Sequence, residues 1–90
     1  MSTLIYVADE LAYPIDWDPT EYRYVQIANH IEKQIQDGVL TEGAALPAVP
    51  ALAEEYGVAR MTIKRAVEIL VERGLVTVLR GRGTFVRRRG

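Results

Sequence analysis

Apolar residues recur every three or four positions in three stretches of this chain, the spacing that places side chains on one face of a helix. The first stretch runs from about Thr20 to Asp37, and its apolar face carries Tyr24, Ile27, Ala28, Ile31 and Ile35. Its polar face carries Arg23, Gln26, Glu32 and Lys33. Asp18 or Thr20 can cap the N-terminus, acidic residues suit the first turn, and Gly38 gives a stop. We predict a first helix that packs on a core.

Two shorter apolar stretches follow and are separated by a tight turn. The second predicted helix runs from about Val49 to Tyr56, with Pro50 tolerated because it falls in the first turn. Gly57 ends it, and the third predicted helix runs from about Arg60 to Arg73. Its apolar positions are Ile63, Ala66, Val67 and Leu70. Two helices joined by so short a turn, after a longer first helix, predict a helix-turn-helix.

The last part of the chain is prone to form β-strands. Leu75 to Leu79 and Thr84 to Val86 predict a hairpin around a turn at Arg80–Gly83, and Ala44 to Leu46 could form a very short strand. So short a hairpin needs the helices to pack on. The predicted fold is therefore mainly α with a small β-hairpin, a winged helix-turn-helix of three helices plus a wing, over residues 20–88.

Residues 1–19 precede this domain and contain an unusual share of aromatic side chains. Thr3 to Ala8 is β-prone, and Tyr6, Tyr13 and Trp17 are too many aromatic residues for a purely solvated tail. We predict an N-terminal arm that packs either on the domain or on a second copy of the chain, where it would contribute to a dimer contact.

Composition narrows the class of protein. Ninety residues, of which 49% are apolar and 26% charged, make one globular domain without room for a second, ligand-binding one. The absence of cysteine, of a secretory signal and of a long apolar run predicts a reducing cytoplasm and no membrane insertion. Charge is divided unevenly: residues 1–45 hold two cations against eight acids, and residues 46–90 hold nine cations against four acids. This asymmetry fits a basic face for a polyanion, although small proteins often divide charge unevenly.

The candidate chemistry lies at the start of the third helix. The apolar stripe leaves five side chains pointing away from the core: Arg60, Met61, Thr62, Lys64 and Arg65. A cation at a helix N-terminus costs about 0.3–1 kcal/mol, and an alanine N-cap at Ala59 gives up about 1 kcal/mol relative to serine. Local rules tend to be broken at functional sites, and this end of a recognition helix reaches base edges and phosphates. The alternative is a solvated helix face.

The hairpin tip adds a second group of cations. Arg80 and Arg82 alternate with glycines, including Gly83, that let the backbone approach a phosphate or a groove closely. Arg87 to Arg89 either contact phosphates or form a basic terminus. No enzyme site is predicted, because the chain has no cysteine and one histidine, His30, cannot build a metal site. We therefore expect no metal and no cofactor, and interpret His30 as a surface or boundary residue.

Three blocks, YVQIANHIEKQIQDGVLTEGAALP, LAEEYGVARMTIKRAVEILVERGLV and GRGTFV, resemble the winged helix-turn-helix domain of the bacterial GntR family of transcription regulators, over about residues 20–87. The resemblance implies a repressor-like domain that binds double-stranded DNA as a homodimer on an inverted repeat. The third helix would enter the major groove and the wing the neighbouring minor groove. By resemblance, the recognition-helix residues of the family match Arg60, Thr62 and Lys64, and its wing tip matches Arg82, Gly83 and Thr84.

The sequence also departs from the family pattern. Ala48, Val49 and Pro50 stand where the family has a serine and soon after it an arginine, and Ala59 replaces the usual serine. Most members carry a C-terminal effector and dimerisation domain, whereas this sequence ends at Gly90. Our leading hypothesis is a stand-alone DNA-binding regulator without a small-molecule effector. The alternatives are a winged helix that serves protein–protein contact, and a fragment of a longer regulator.

Overall fold

The computed structural model describes residues 15–88, and these form three helices followed by a two-stranded hairpin. The elements are α1 (Arg23–Gln36), α2 (Val49–Tyr56), α3 (Arg60–Glu72), β1 (Val76–Leu79) and β2 (Gly83–Val86). The predicted winged helix-turn-helix is confirmed. The strand predicted at Thr3 to Ala8, the rest of residues 1–14, and Arg89 lie outside the described residues.

The core lies where α3 packs against α1, α2 and the hairpin. Its largest fully buried side chains are Ile27, Ile63, Leu70 and Val76. Each such side chain contributes about 1.5–3 kcal/mol when it leaves water. The apolar stripes read from the sequence therefore form the core, although Tyr24 and Ile35 at the two ends of α1 are only half-buried.

Helix α1 begins later than predicted, and neither Asp18 nor Thr20 caps it. Its N-cap is Tyr22, which provides no side-chain hydrogen bond, and its first turn contains no acidic residue. The reason is local, because Asp18 and Thr20 bond to each other: the Asp18 Oδ1 accepts from the Thr20 backbone N–H at 2.9 Å and from its hydroxyl at 2.7 Å. These hydrogen bonds hold the pKa of Asp18 below its usual value. They make a separate turn before the helix.

Gln26 was predicted on the polar face of α1 and is instead buried, with 9% of its surface exposed. Its side-chain oxygen accepts from the Asp18 backbone N–H at 2.8 Å. Its amide nitrogen donates to the carbonyl oxygens of Asp18 and Glu21, both at 2.9 Å. A buried polar side chain requires such partners, and here all of them belong to the turn before the helix. Gln26 thus ties residues 18–21 onto α1.

The turn between α2 and α3 follows the prediction closely. Helix α2 has the predicted bounds, and Gly57 ends it in the left-handed conformation with φ of 69°, which glycine adopts without steric cost. The Val58 backbone N–H then donates to the Ala53 carbonyl oxygen at 3.0 Å. Ala59 is the N-cap of α3, which ends at Glu72, one residue before the predicted end.

The wing is an antiparallel pair in which Val76 lies opposite Val86 and Leu79 opposite Gly83. Both strands differ from the prediction by one residue, since β1 starts after Leu75 and β2 starts at Gly83. The predicted short strand at Ala44 to Leu46 is present as an isolated bridge between Ala45 and Phe85. The Leu46 N–H donates to the Thr84 carbonyl oxygen at 2.8 Å, so β2 is bonded on both sides.

Candidate nucleic-acid interface

The N-terminal half of α3 presents the residues predicted from the sequence. Arg60, Met61, Lys64 and Arg65 are exposed, with 58% of Met61 in contact with solvent. Thr62 is only half-buried, so it lies at the edge of this surface rather than pointing fully outward. Because residues four apart share a face of a helix, Arg60 and Lys64 form one stripe, and Met61 and Arg65 form the next.

The backbone at this end of α3 is uncapped. Ala59 is extended, with φ of −69° and ψ of 153°, and makes no side-chain hydrogen bond to the first turn. The N–H groups of the first turn carry partial positive charge, and the side chains nearest to them are also cationic. The arrangement stabilises an anion placed there and costs stability in its absence.

The cations of this surface form no ion pair within the described part of the domain. The two ion pairs found within residues 15–88 join Lys33 to Asp37 and Arg73 to Glu32. Arg73 also donates to the Asn29 side-chain oxygen at 2.8 Å, which links the end of α3 to α1. Within the same residues, Arg60, Lys64, Arg80 and Arg82 have no carboxylate partner. Their charge is therefore available to a ligand.

Arg65 differs from the other cations. Its guanidinium carbon lies 5.8 Å from the centre of the Tyr24 ring, at the start of α1. The Tyr24 ring stacks in turn on Tyr22, with ring centres 5.5 Å apart. The sequence indicated Tyr24 only as a core residue, and periodicity alone gave no sign of its contact with Arg65.

The wing tip carries Arg80 and Arg82, both exposed, on a turn closed by a hydrogen bond from the Arg82 N–H to the Leu79 carbonyl oxygen at 2.9 Å. Gly83 follows with φ of 128°, which other residues rarely adopt. A side-chain carbon there would meet the Phe85 ring at 3.8 Å, an ordinary contact. Glycine is therefore required at this position by backbone conformation and not by lack of space. Thr84 is half-buried at the base of the wing.

The start of α2 contributes no charge to this surface. Ala48 is its N-cap without a side-chain hydrogen bond, and its first turn has neither acid nor cation because Val49 and Pro50 occupy it. This matches the departure from the family pattern seen in the sequence. The candidate interface therefore comprises the start of α3 and the wing tip, without a contribution of charge from the start of α2.

Other kinds of site find little support in the described part of the chain. No three His, Cys, Asp or Glu side chains within residues 15–88 are grouped so that they could hold a metal ion. His30, half-buried, lies with its Nδ1 2.7 Å from the Tyr56 hydroxyl oxygen and so joins α1 to α2. Across the same residues, no helix is long and apolar enough to cross a membrane.

A helix-turn-helix with a cationic recognition helix, followed by a hairpin with a cationic tip, defines the winged helix-turn-helix class. Within that class, residues 23–86 match the model of the bacterial regulatory proteins of the gntR family. The chain belongs to this family. The resemblance noted in the sequence is therefore confirmed.

Similar proteins include two named repressors. The chain is 44% identical over 64 residues to the mannosyl-D-glycerate transport/metabolism system repressor MngR of Escherichia coli strain K12, covering 71% of this chain and 27% of that one. It is 43% identical over 63 residues to the transcriptional repressor NagR of Bacillus subtilis strain 168, covering 70% and 26%. The chain thus spans about a quarter of the length of these curated relatives.

Among solved structures, the DNA-binding domain of AraR in complex with the operator ORX1 is similar to this chain over most of its length. The two are 31% identical, with a TM-score of 0.71, and the match covers 79% of this chain and 90% of the AraR chain. The likeness therefore concerns the domain as a whole.

Proposed function

We propose that this domain binds double-stranded DNA at a specific sequence and regulates transcription as a repressor. The observation that carries the proposal is a surface of exposed cations without carboxylate partners, shared by the start of α3 and the wing tip, in a chain of the gntR family. The named repressors and the operator complex among similar proteins support it. No catalytic activity, metal or cofactor enters this function.

In this proposal α3 enters the major groove with its N-terminal half. Arginine and lysine donate to the acceptor atoms of guanine, so Arg60 and Lys64 are suited to base edges. Met61 is placed for apolar contact with a thymine methyl group, and Thr62 lies beside it at the edge of the surface. Arg65 belongs to the same DNA-binding surface.

The wing reaches the neighbouring minor groove. Arg80 and Arg82 carry the charge, while Gly83 provides the backbone conformation that turns β2 away from the tip. Thr84 follows on β2, where its carbonyl oxygen accepts from the Leu46 N–H, and its hydroxyl is available for a contact with DNA. Minor-groove contacts of this kind read groove shape more than base identity.

We also propose that two copies bind an inverted repeat as a homodimer, and that residues 1–19 contribute to the contact between the two copies. We further propose that the protein acts in the cytoplasm. Symmetric operators are bound by symmetric dimers, because each half-site requires its own recognition helix. No small-molecule effector is required for DNA binding by residues 20–88. Removal of residues 1–19 should convert a dimer to a monomer in sedimentation measurements, and a dimer that survives the deletion would exclude this contact.

Selection of bound duplexes from a random DNA pool tests the function directly. We expect enrichment of a short inverted repeat, with binding that weakens steeply as salt rises because each neutralised phosphate adds about −0.9 to the slope of log K against log salt. An unbound random pool at low salt and micromolar protein would contradict the proposal.

That negative result would favour a second function, a winged helix used for protein–protein contact. The observation behind this candidate is the start of α2, where Ala48, Pro50 and Ala51 are exposed and no cation is present. The acid-rich first half of the sequence supports it. Selection and salt titration distinguish the two functions, because a protein-binding module would show neither an enriched repeat nor a salt slope.

A further inference from the structure

Arg65 is held by α1, and this sets it apart from the other cations of α3. Lys64 and Arg65 are consecutive, so they lie about 100° apart around the helix, on opposite flanks of its exposed face. The Arg65 flank is the one next to α1, where its guanidinium carbon lies 5.8 Å from the centre of the Tyr24 ring. The side chain is thus drawn towards the edge of the recognition surface.

The Tyr24 ring contacts both the core and a second aromatic ring. Tyr24 is half-buried, packs against the core, and stacks on Tyr22 with ring planes 25° apart. The Tyr22 carbonyl oxygen accepts the first backbone hydrogen bonds of α1, from Val25 and Gln26. Gln26 in turn ties the preceding turn to the helix. Tyr24 is therefore held by packing against the core and by stacking on Tyr22.

The contact leaves the hydrogen-bonding groups of Arg65 available. The guanidinium carbon lies within the distance of a cation–π contact with the ring, and such a contact occupies none of the N–H donors of the side chain. Within residues 15–88, no hydrogen bond or ion pair involves the Arg65 side chain. The planar fork of guanidinium donors is the geometry that binds phosphate oxygens in pairs.

We propose that Arg65 binds the phosphate backbone at the wall of the major groove, and that Tyr24 is the positioning residue that orders it beforehand. The proposal rests on the proposed function, since the phosphate belongs to the same duplex that α3 reads. Arg65 then adds affinity for any sequence, while Arg60 and Lys64 are left to discriminate among bases. Ordering a long side chain before binding reduces the entropy lost on binding.

Salt titrations with four single variants test this assignment against the sequence selected by the wild-type protein and against an unrelated duplex. Arg65→Ala should weaken binding to both duplexes by the same factor, at least about tenfold, because its charge-assisted contact with a phosphate is lost. It should also reduce the magnitude of the slope of log K against log salt by about 0.9, the value for one phosphate. Base preference should not change.

The other three variants test the role of the Tyr24 ring and of the planar guanidinium separately. Tyr24→Leu removes the ring and should weaken binding about two- to fivefold while the salt slope stays constant, since the charge remains. Tyr24→Phe keeps the ring and should bind like the wild type. Arg65→Lys keeps the charge without the planar fork, so it should keep the wild-type slope with reduced affinity. Circular dichroism establishes that each variant is folded.

The outcomes separate this inference from the proposed function. A wild-type protein that binds no duplex overturns both. A wild-type protein that binds, with an Arg65→Ala variant of unchanged affinity and slope, overturns only the phosphate contact. A changed base preference at one operator position would instead make Arg65 a base-reading residue. If Tyr24→Leu fails to fold, the other variants still test the assignment. It is supported if Tyr24→Phe binds like the wild type and if Arg65→Lys keeps the salt slope that Arg65→Ala reduces. Weakened binding by Tyr24→Phe overturns it.

Discussion

Helices α1 and α3 both begin with an arginine directly after a residue whose side chain does not cap the helix, Tyr22 in one case and Ala59 in the other. At α1 the cation is accommodated, since the Arg23 guanidinium carbon lies 4.5 Å from the centre of the Trp17 ring. The turn before α1 is also tied down by Gln26 and by the bonds between Asp18 and Thr20. At α3, Arg60 has no aromatic or carboxylate partner within residues 15–88.

The difference separates stability from binding. A cation at a helix N-terminus is unfavourable, and at α1 an aromatic ring offsets part of that cost. At α3 nothing in residues 15–88 offsets this cost in free energy. An anionic ligand bound there would offset it. Removal of the arginine should therefore weaken DNA binding at α3 and leave it unchanged at α1.

The largest effect is expected from Gln26→Leu, which keeps the volume of the side chain and removes its three hydrogen bonds to residues 18–21. At about 1 kcal/mol for each bond, the free energy of unfolding should fall by about 2–3 kcal/mol. Chemical denaturation followed by circular dichroism measures the change.

The matched control for this variant is Gln36→Leu, at the exposed end of the same helix, where the side chain makes a solvent-exposed hydrogen bond to Glu32. Its effect should stay within about 0.5 kcal/mol, as for most surface substitutions. Equal effects of the two variants would mean that the turn before α1 adds nothing to stability. DNA affinity of the folded fraction should be unaffected by Gln36→Leu.

The same contrast shows what could be predicted from the sequence. Helical spacing and Gly57 predicted the bounds of α2 and the start of α3. Both features can be read from the sequence, because a buried helix face requires regularly spaced apolar residues and a left-handed helix end favours glycine. Gln26 and the start of α1 were missed. Hydrophobic spacing identifies the buried face, but it cannot show that a polar side chain is buried with backbone partners from an irregular turn.

For the candidate site, the exposed positions could be predicted from the sequence, but a contact between distant segments could not. The positions of Arg60, Lys64 and the wing arginines follow from helix and hairpin boundaries, and the structure places them on the surface as expected. The contact of Arg65 with Tyr24 depends on how α1 crosses α3. Crossing geometry is set by side-chain packing between distant segments, so local spacing does not encode it.

The second effect in size is expected from Arg60→Ala. Binding to the selected operator should weaken by about 1–3 kcal/mol, with relaxed preference at the base that Arg60 contacts. The free energy of unfolding should rise by about 0.3–1 kcal/mol, because a cation is removed from the helix N-terminus. Fluorescence anisotropy with labelled duplexes and thermal unfolding measure the two quantities.

Arg23→Ala is the matched control, since it removes the cationic side chain from the first residue of α1 in the same way. There the loss of the contact with Trp17 offsets the gain from removing the cation, and affinity for the operator should stay constant. A similar loss of affinity in both variants would show that the start of α1 belongs to the DNA-binding surface, and the separation of the two helix starts would then be wrong.

The smallest effect tests the missing caps. Ala59→Ser supplies a hydroxyl that can accept from the N–H groups of the first turn of α3, and should raise the free energy of unfolding by about 1 kcal/mol. Ala48→Ser makes the same change at α2, where the backbone is nearly identical, with φ of −64° and ψ of 156°. Pro50, the second residue of α2, has no N–H to donate, so the hydroxyl there has one partner fewer. The gain at α2 should therefore be smaller than at α3.

Parallel denaturation experiments measure the two gains. Equal gains would show that the two helix starts differ only in charge. A loss of stability in Ala59→Ser would show that another group already accepts from the N–H groups of the first turn of α3.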